Sequence, residues 1–314
     1  MVPGSREPPQ VTISRAVDAL RRGEVIGLPT ETVYGLAADA SNPEAVKRIF
    51  ELKGRPADHP VIVHLADADE LGAWAVDVPE AAHRLAAAFW PGPLTLILRK
   101  AAHVLDLVTG GQDTVGIRVP RHPVAQEVLR AFGGALAAPS ANRFGRVSPT
   151  RRAHVLAEFG DALPMVLEGG DCEVGLESTI VDLSREGDAR ILRPGVLDRA
   201  ALESLLGPIA SGVTPESPRA AGTLASHYAP STPVELVGAL DPDRENVRVL
   251  TLGPVPAGYR GMSLGRDPAV YGKALYAALR ELDAEGAEAL LVETPPAEPA
   301  WEAVRDRLTR AATK

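Results

Sequence analysis

The sequence holds a single cysteine, Cys172, so this chain alone can build neither an intrachain disulfide nor a thiolate metal cluster. A lone thiol of this kind reads as buried or half-buried filler before it reads as chemistry. No apolar run reaches the roughly 18 to 20 residues that a bilayer-spanning helix needs, and MVPGSREPPQ lacks a signal-peptide apolar segment. A cytoplasmic protein without a membrane partner is expected. Positive charge is also short: the net charge is −8 and aromatic residues make up 4%. Broad nucleic-acid binding relies on phosphate neutralisation and stacking, so this balance argues against it while leaving room for a local anion pocket. The common signatures are missing too: no G-x-x-x-x-G-K-S/T, no H-E-x-x-H, no G-x-S-x-G and no G-x-G-x-x-G after a strand. A bound nucleotide would therefore be held neither by a P-loop nor by a Rossmann glycine fingerprint.

What is present is an ordinary globular balance, 45% hydrophobic and 24% charged over 314 residues, enough for about two domains at roughly 150 residues each. Ser14, RAVDALRR and Gly23 read as a capped, glycine-terminated helix, followed by the strand VIGLP, so that PTETVYG begins at a strand end. Asn42 and Pro43 open a helix with Val46, Ile49, Phe50 and Lys53 at helical spacing. VIVHL, LTLIL, VGIRV and ALAAPSAN read as strands between the helical stretches EAAHRLAAAF and PVAQEVLRAF. A helix after Thr150 precedes the strands MVLEGG, STIVDL and ARILRPG, and a mixed α/β domain ends near Leu206. Residues 207–233, rich in Pro, Gly, Ser and Ala, read as a connecting segment. Beyond it come the strands VELVGAL, VRVLTL and ALLVET. A helix carrying Val270, Leu275, Leu279 and Leu282 on one side lies between the last two, and a final amphipathic helix begins near Glu298 with Trp301, Val304 and Leu308.

Polar residues gather where strands end, the usual place for ligands in open α/β sheets. Lys53 and Arg55 flank a glycine at a helix end, where both cations can grip one anion or simply complete the helix dipole. Arg118 lies in a strand on the face opposite Ile117 and Val119, either as a structural ion pair or as a carboxylate or phosphate ligand. PSAN offers Ser140 and Asn142, and Ser148 follows, as ligand contacts or as ordinary loop residues. Of seven histidines, His64 in a strand and His227 in SHYAP are the two worth keeping.

PTETVYGLAADA, LKGRPADHPVIVHL, WPGPLTLIL, VGIRVPRHP, APSANRFGRVSPT, LESTIVDL and ILRPGV, in this order across residues 24–196, resemble the threonylcarbamoyl-AMP synthase family with its YrdC-like domain. GTLASHYAPSTPV resembles the linker of its longer two-domain branch. The resemblance implies an α/β fold: a YrdC-like twisted open mixed sheet with flanking helices around a concave pocket in residues 1–206, a linker at 207–233 closing over it, and a small Rossmann-like α/β domain at 234–314. It implies an L-threonylcarbamoyladenylate synthase, a nucleotidyltransferase taking L-threonine, bicarbonate and ATP to threonylcarbamoyl-AMP, pyrophosphate and water. The product would feed threonylcarbamoyladenosine formation in tRNAs that read codons starting with A, through a downstream tRNA threonylcarbamoyl transferase complex, with at most a weak RNA contact here.

Residue by residue, the family pattern puts Thr32, His64, Arg118, the backbone at Ala138 and Ser178 around threonine. The same pattern puts Lys53, Arg55, His59, Thr114, Ser140, Asn142, Ser148, Arg193 and Tyr228 around ATP. Lys53 and Arg55 are implied as the catalytic pair, with Mg²⁺ held mainly by ATP phosphates. This chain departs from the pattern at His59, where the family usually has Asn, and at the linker triplet AAG, where SPG is usual. An RNA-binding module would fit a concave basic face but not the net charge of −8. A carbamoyl-transfer domain of the hydrogenase-maturation type would bring acylphosphatase and zinc-finger regions that one cysteine cannot supply.

Overall fold

Short runs, most of them leucine-rich or β-branched and separated by glycine and proline turns, form thirteen strands in two sheets in the computed structural model, which describes residues 9–240 and 244–313. Residues 1–8 and 314, assigned above to the two units, lie outside the described residues. The first sheet contains β1 (Ile26–Leu28), β2 (Gly35–Asp39), β3 (Ile62–His64), β4 (Leu94–Arg99), β5 (Thr114–Arg118), β6 (Leu136–Ala137), β7 (Thr179–Asp182), β8 (Arg190–Arg193) and β9 (Ala210–Ser211). Their order is β1-β2-β6-β3-β5-β4-β7-β8-β9, an open mixed sheet with β3/β5, β4/β7 and β8/β9 parallel. The second sheet is all parallel, β10 (Val234–Val237), β13 (Ala289–Glu293), β11 (Val247–Thr251) and β12 (Arg260–Ser263) in that order.

Successive strand residues point to opposite faces, and this period separates core from site. Leu96, Ile117, Val181 and Ile191 join the largest core cluster with Val46, Ile49 and Leu85 from covering helices. Their neighbours Ile97, Ile180 and Leu192 form a small cluster on the other face, where Ala220 of the connecting segment packs on them. That segment therefore lies across the polar face of the sheet. Pairing of His64 with Arg118 across β3 and β5 puts both side chains on this face as well.

Local chemistry delivers the cationic turn. Asn42 accepts from the amides of Glu44 (3.0 Å) and Ala45 (3.2 Å), so the helix Pro43–Lys53 starts where a side chain satisfies its free donors. Gly54 ends it at φ 62°, a left-handed value that a side chain would resist. The chain turns inward there, burying Lys53 and Arg55.

Several expectations are corrected. The first helix runs Pro9–Arg21, with Ser14 inside it, because Ile13 packs on the core beside Ala16 and extends the buried stripe upstream. MVLEGG is not a strand but meets the sheet through one bridge, Gly27 to Val166. Val270 is 59% exposed, while Leu275, Leu279 and Leu282 are buried on the far side of the helix Pro268–Asp283. The connecting segment begins by adding the edge strand β9 to the first sheet. No described helix is long and apolar enough to cross a membrane.

Candidate active site

A small, partly open cavity of about 50 Å³ lies on the polar face, bounded by the ends of β3, β5 and β8, the PTET and PSAN turns and the connecting segment. Thr32, His64, Arg118, Ala138 and Ser178 line it, so the five residues that the resemblance implied for threonine converge. Arg55, Ser140, Arg193 and Tyr228 line the same space, together with Thr30, Glu177, Gly222 and His227.

Arg118 is held from three sides. Its Nε donates to the Gly92 carbonyl (3.2 Å) and its Nη1 to Thr32 Oγ1 (2.8 Å). Its Nη2 lies 2.7 Å from Glu31 Oε1, an ionic contact angled away from a hydrogen bond. Both readings of this arginine therefore meet: it has a structural partner and it faces the cavity. Burial pushes the Glu31 carboxyl up, but Arg118, together with the backbone amides of Glu31 and Arg121, holds it below the usual range.

Arg193 donates twice to the Ser178 carbonyl (3.2 and 3.0 Å) and once to the Ala221 carbonyl (2.7 Å), which seats the connecting segment. Arg55 donates to the Pro60 carbonyl (2.8 Å) and lies 5.6 Å over the Phe144 ring. Tyr228 is wedged at φ 61°, a strained backbone value for a bulky residue, which persists only where packing enforces it. Gly222, at φ 76°, must be glycine: a Cβ there would meet the Tyr228 hydroxyl at 2.1 Å.

Five expected ATP contacts do not line the cavity. Lys53 stands furthest from the expectation here: its amine donates to the carbonyls of Ser140 (2.5 Å) and Asn142 (2.6 Å) and so buttresses the PSAN turn. Burial, with Arg55 beside it, holds this amine well below its usual range. Asn142 donates to the carbonyls of Arg143 (2.8 Å) and Arg146 (2.9 Å), and Ser148 donates to Glu177 Oε1 (2.5 Å). His59 packs edge-on to Phe144, with ring centres 5.1 Å apart. Thr114 lines a neighbouring recess that shares Ile62 and Ala221 with the cavity.

Glu177 is the cavity residue for which the motifs gave no role, although it adjoins Ser178 in LEST. It is the one carboxylate lining the cavity. Burial pushes it up, yet Arg307, Arg193 and the Ser148 hydroxyl together pull it down to about 2.

Three histidines are held neutral, His64 and His227 buried and His154 half-buried. Burial, reinforced by Arg118, lowers His64 to about 3; burial, opposed by Glu177, lowers His227 to about 3; burial, helped by Arg280, lowers His154 to about 4. The unfolded chain takes up these protons near 6.5, so below that pH it binds protons that the folded chain refuses. Stability is expected to be full above about pH 6.5 and to fall as pH drops toward about 4. Thermal midpoints measured from about pH 7.5 down to 4.5 test this, and a level midpoint across that range would contradict it.

Cations, hydroxyls and a neutral imidazole around a strap-covered cavity on an open α/β sheet define an enzyme for small anionic substrates. The family model described as "Telomere recombination" (Sua5, YciO, YrdC) matches residues 18–195, and the one described as "Threonylcarbamoyl-AMP synthase, C-terminal domain" matches residues 197–313. The chain is 37% identical to the threonylcarbamoyl-AMP synthase of Pyrococcus abyssi, covering 94% of this chain and 92% of that one. It is also 37% identical to that of Bacillus subtilis, covering 96% and 92%. The structure of P. abyssi Sua5 complexed with L-threonine superposes with a TM-score of 0.90 at 36% identity, covering 98% of this chain and 96% of that one. This chain belongs to the threonylcarbamoyl-AMP synthase family.

Proposed function

We propose that this chain is an L-threonylcarbamoyladenylate synthase, a nucleotidyltransferase. It joins the amine of L-threonine to bicarbonate with loss of water and passes the resulting carbamate to the α-phosphorus of ATP, with pyrophosphate leaving. The observation that carries the reading is the convergence of Arg118, Thr32 and His64 with Arg55, Arg193 and Ser140 on a single cavity. The first three suit an amino-acid carboxylate and hydroxyl, the two further arginines a polyphosphate.

In this reading residues 1–206 form the catalytic unit, 207–233 the closing linker and 234–314 the C-terminal unit. Arg118 takes the threonine carboxylate, and Thr32, Ser178 and the Ala138 backbone complete that subsite. His64 Nδ1 lies 3.2 Å from the Ile62 carbonyl, which can only accept, so Nδ1 carries the hydrogen and Nε2 is left as an acceptor. Lowered to about 3, this imidazole is a weak base at neutral pH and orients threonine instead of storing its proton. Arg55 and Arg193 balance charge on the phosphates, while Lys53 and Asn142 hold the turn that presents Ser140. The cavity, at about 50 Å³, is smaller than ATP, and in this reading the linker lifts at Tyr228 and His227 to admit it and then reseats.

Mg²⁺ would arrive on the ATP phosphates. The cavity's single carboxylate, Glu177, already takes hydrogen bonds from Ser148, Tyr276 and Arg307, and no described cluster of three metal-ligating groups exists. The product would pass to a tRNA threonylcarbamoyl transferase. Pyrophosphate release is expected to need both threonine and bicarbonate, and to stop on chelation with no fall in thermal midpoint. Release at the same rate without threonine would sink the reading.

A further inference from the structure

We propose that Arg307, on the helix Glu302–Ala312 of the C-terminal unit, is a positioning residue of the synthase site: it fixes Glu177 and seats Tyr228, and so couples that unit to the cavity. Arg307 is fully buried, and its Nε donates to Glu177 Oε2 at 2.8 Å. Its guanidinium centre lies 5.2 Å over the Tyr228 ring. Tyr276, also from the C-terminal unit, donates to the same Glu177 oxygen at 2.8 Å and stacks on Tyr228, with ring centres 5.7 Å apart. The other Glu177 oxygen accepts from Ser148 at 2.5 Å. Arg280 reinforces the grip by donating to the Val147 carbonyl next door.

The arrangement answers an electrostatic difficulty. A carboxylate lining a polyphosphate pocket repels its ligand unless a fixed cation neutralises it, and Arg307 does so from behind without occupying the cavity. Held in this way, Glu177 anchors Ser148 on one side and sets the backbone of Ser178 on the other. The same guanidinium supports Tyr228 in its left-handed conformation. The groups acting on Glu177 are Arg307 and Tyr276 from the C-terminal unit, Arg193 from β8, Ser148 from its loop, and His227 and Tyr228 from the linker.

This inference rests on the synthase reading, and its test keeps the two apart. Pyrophosphate release by full-length wild type, Arg307→Met, Arg307→Lys and Arg307→Met with Glu177→Gln is followed against pH, with thermal midpoints for each. Arg307→Met is expected to lower kcat by about 10- to 100-fold, the scale of a displacement transmitted from outside the chemistry. Its acid limb should also move to higher pH, since Glu177 loses the foremost of the groups that together offset burial. Arg307→Lys should restore part of kcat and return the limb toward wild type. The double variant removes the stranded Glu177 charge, and Asp306, which also accepts from Arg307 at 2.6 Å, keeps Arg310 at 2.9 Å, so it should recover part of the thermal stability while staying slow, with the limb gone. Wild-type kcat and an unmoved pH profile in Arg307→Met would overturn the positioning role. If the wild type shows no threonine-dependent release, the synthase reading fails instead. The same variants are then read by calorimetric ATP binding, where an unchanged Kd in Arg307→Met overturns the coupling and a raised Kd supports it.

Discussion

Replacing Arg55 by alanine is expected to lower kcat for pyrophosphate release by about 10²- to 10³-fold, the loss typical of removing one preorganised charge from a developing anion. The side chain leaves the left-handed turn at Gly54, lies 8% exposed in the cavity wall, and donates to one backbone carbonyl at 2.8 Å and another at 3.4 Å. The rest of its guanidinium is free for phosphate oxygens. Burial, aided by Arg193 and opposed by Tyr228, lowers it to about 10, so it stays cationic at neutral pH. Its protein partners here are carbonyls, so alanine strands no buried charge and the thermal midpoint should change little. Lysine should rescue only partly, because an ammonium cannot keep the Pro60 carbonyl and span two phosphate oxygens together. Release at the wild-type rate in Arg55→Ala would move the phosphates toward Arg193. Steady-state kinetics with saturating threonine and bicarbonate separates these outcomes.

The fold was legible where periodicity and capping agree. Asn42, Pro43 and the Val46, Ile49, Phe50 stripe mark their helix at both ends, and period two alone assigns Arg118 to the face opposite Ile117 and Val119. Where the signal is weak, elements were missed. β2 is GLAAD, small residues without β-branched character, and takes its shape from pairing with β1 and β6. β12 is the short, mostly exposed edge RGMS, defined only by its partner β11. Tertiary pairing decides such segments, and no local propensity carries that information.

The site was legible as a set of segments, because seven motifs in family order name the loops that converge. It was less legible as a set of roles. Lys53 and Arg55 look equivalent in KGR, yet the glycine between them sends one amine to the PSAN carbonyls and the other guanidinium to the cavity. Arg307 had a sequence signal that went unused: it stands among Val304, Leu308 and Ala311, a charge inside an apolar stripe. Such a charge needs a buried partner, and only the fold could show that the partner is Glu177, 130 residues away.

Arg118→Ala is expected to cost both stability and substrate, and the two losses can be separated. Removing one member of a buried ion pair strands the other, at a cost of about 3–5 kcal/mol, and Glu31 is 1% exposed with Arg118 as its paired cation. The threonine carboxylate loses its proposed anchor as well, so binding of L-threonine should weaken by about 2–5 kcal/mol. Adding Glu31→Gln removes the stranded charge, so the double variant should regain most of the thermal midpoint while binding no better. If Arg118 served only Glu31, the double variant would recover threonine binding together with stability. Calorimetric titration of L-threonine into both variants distinguishes a ligand from a strut, and the Thr32 contact at 2.8 Å predicts the former. Thr32→Val, which removes the hydroxyl that Nη1 now holds, should weaken threonine in the same direction by about 1 kcal/mol, the scale of one hydrogen bond.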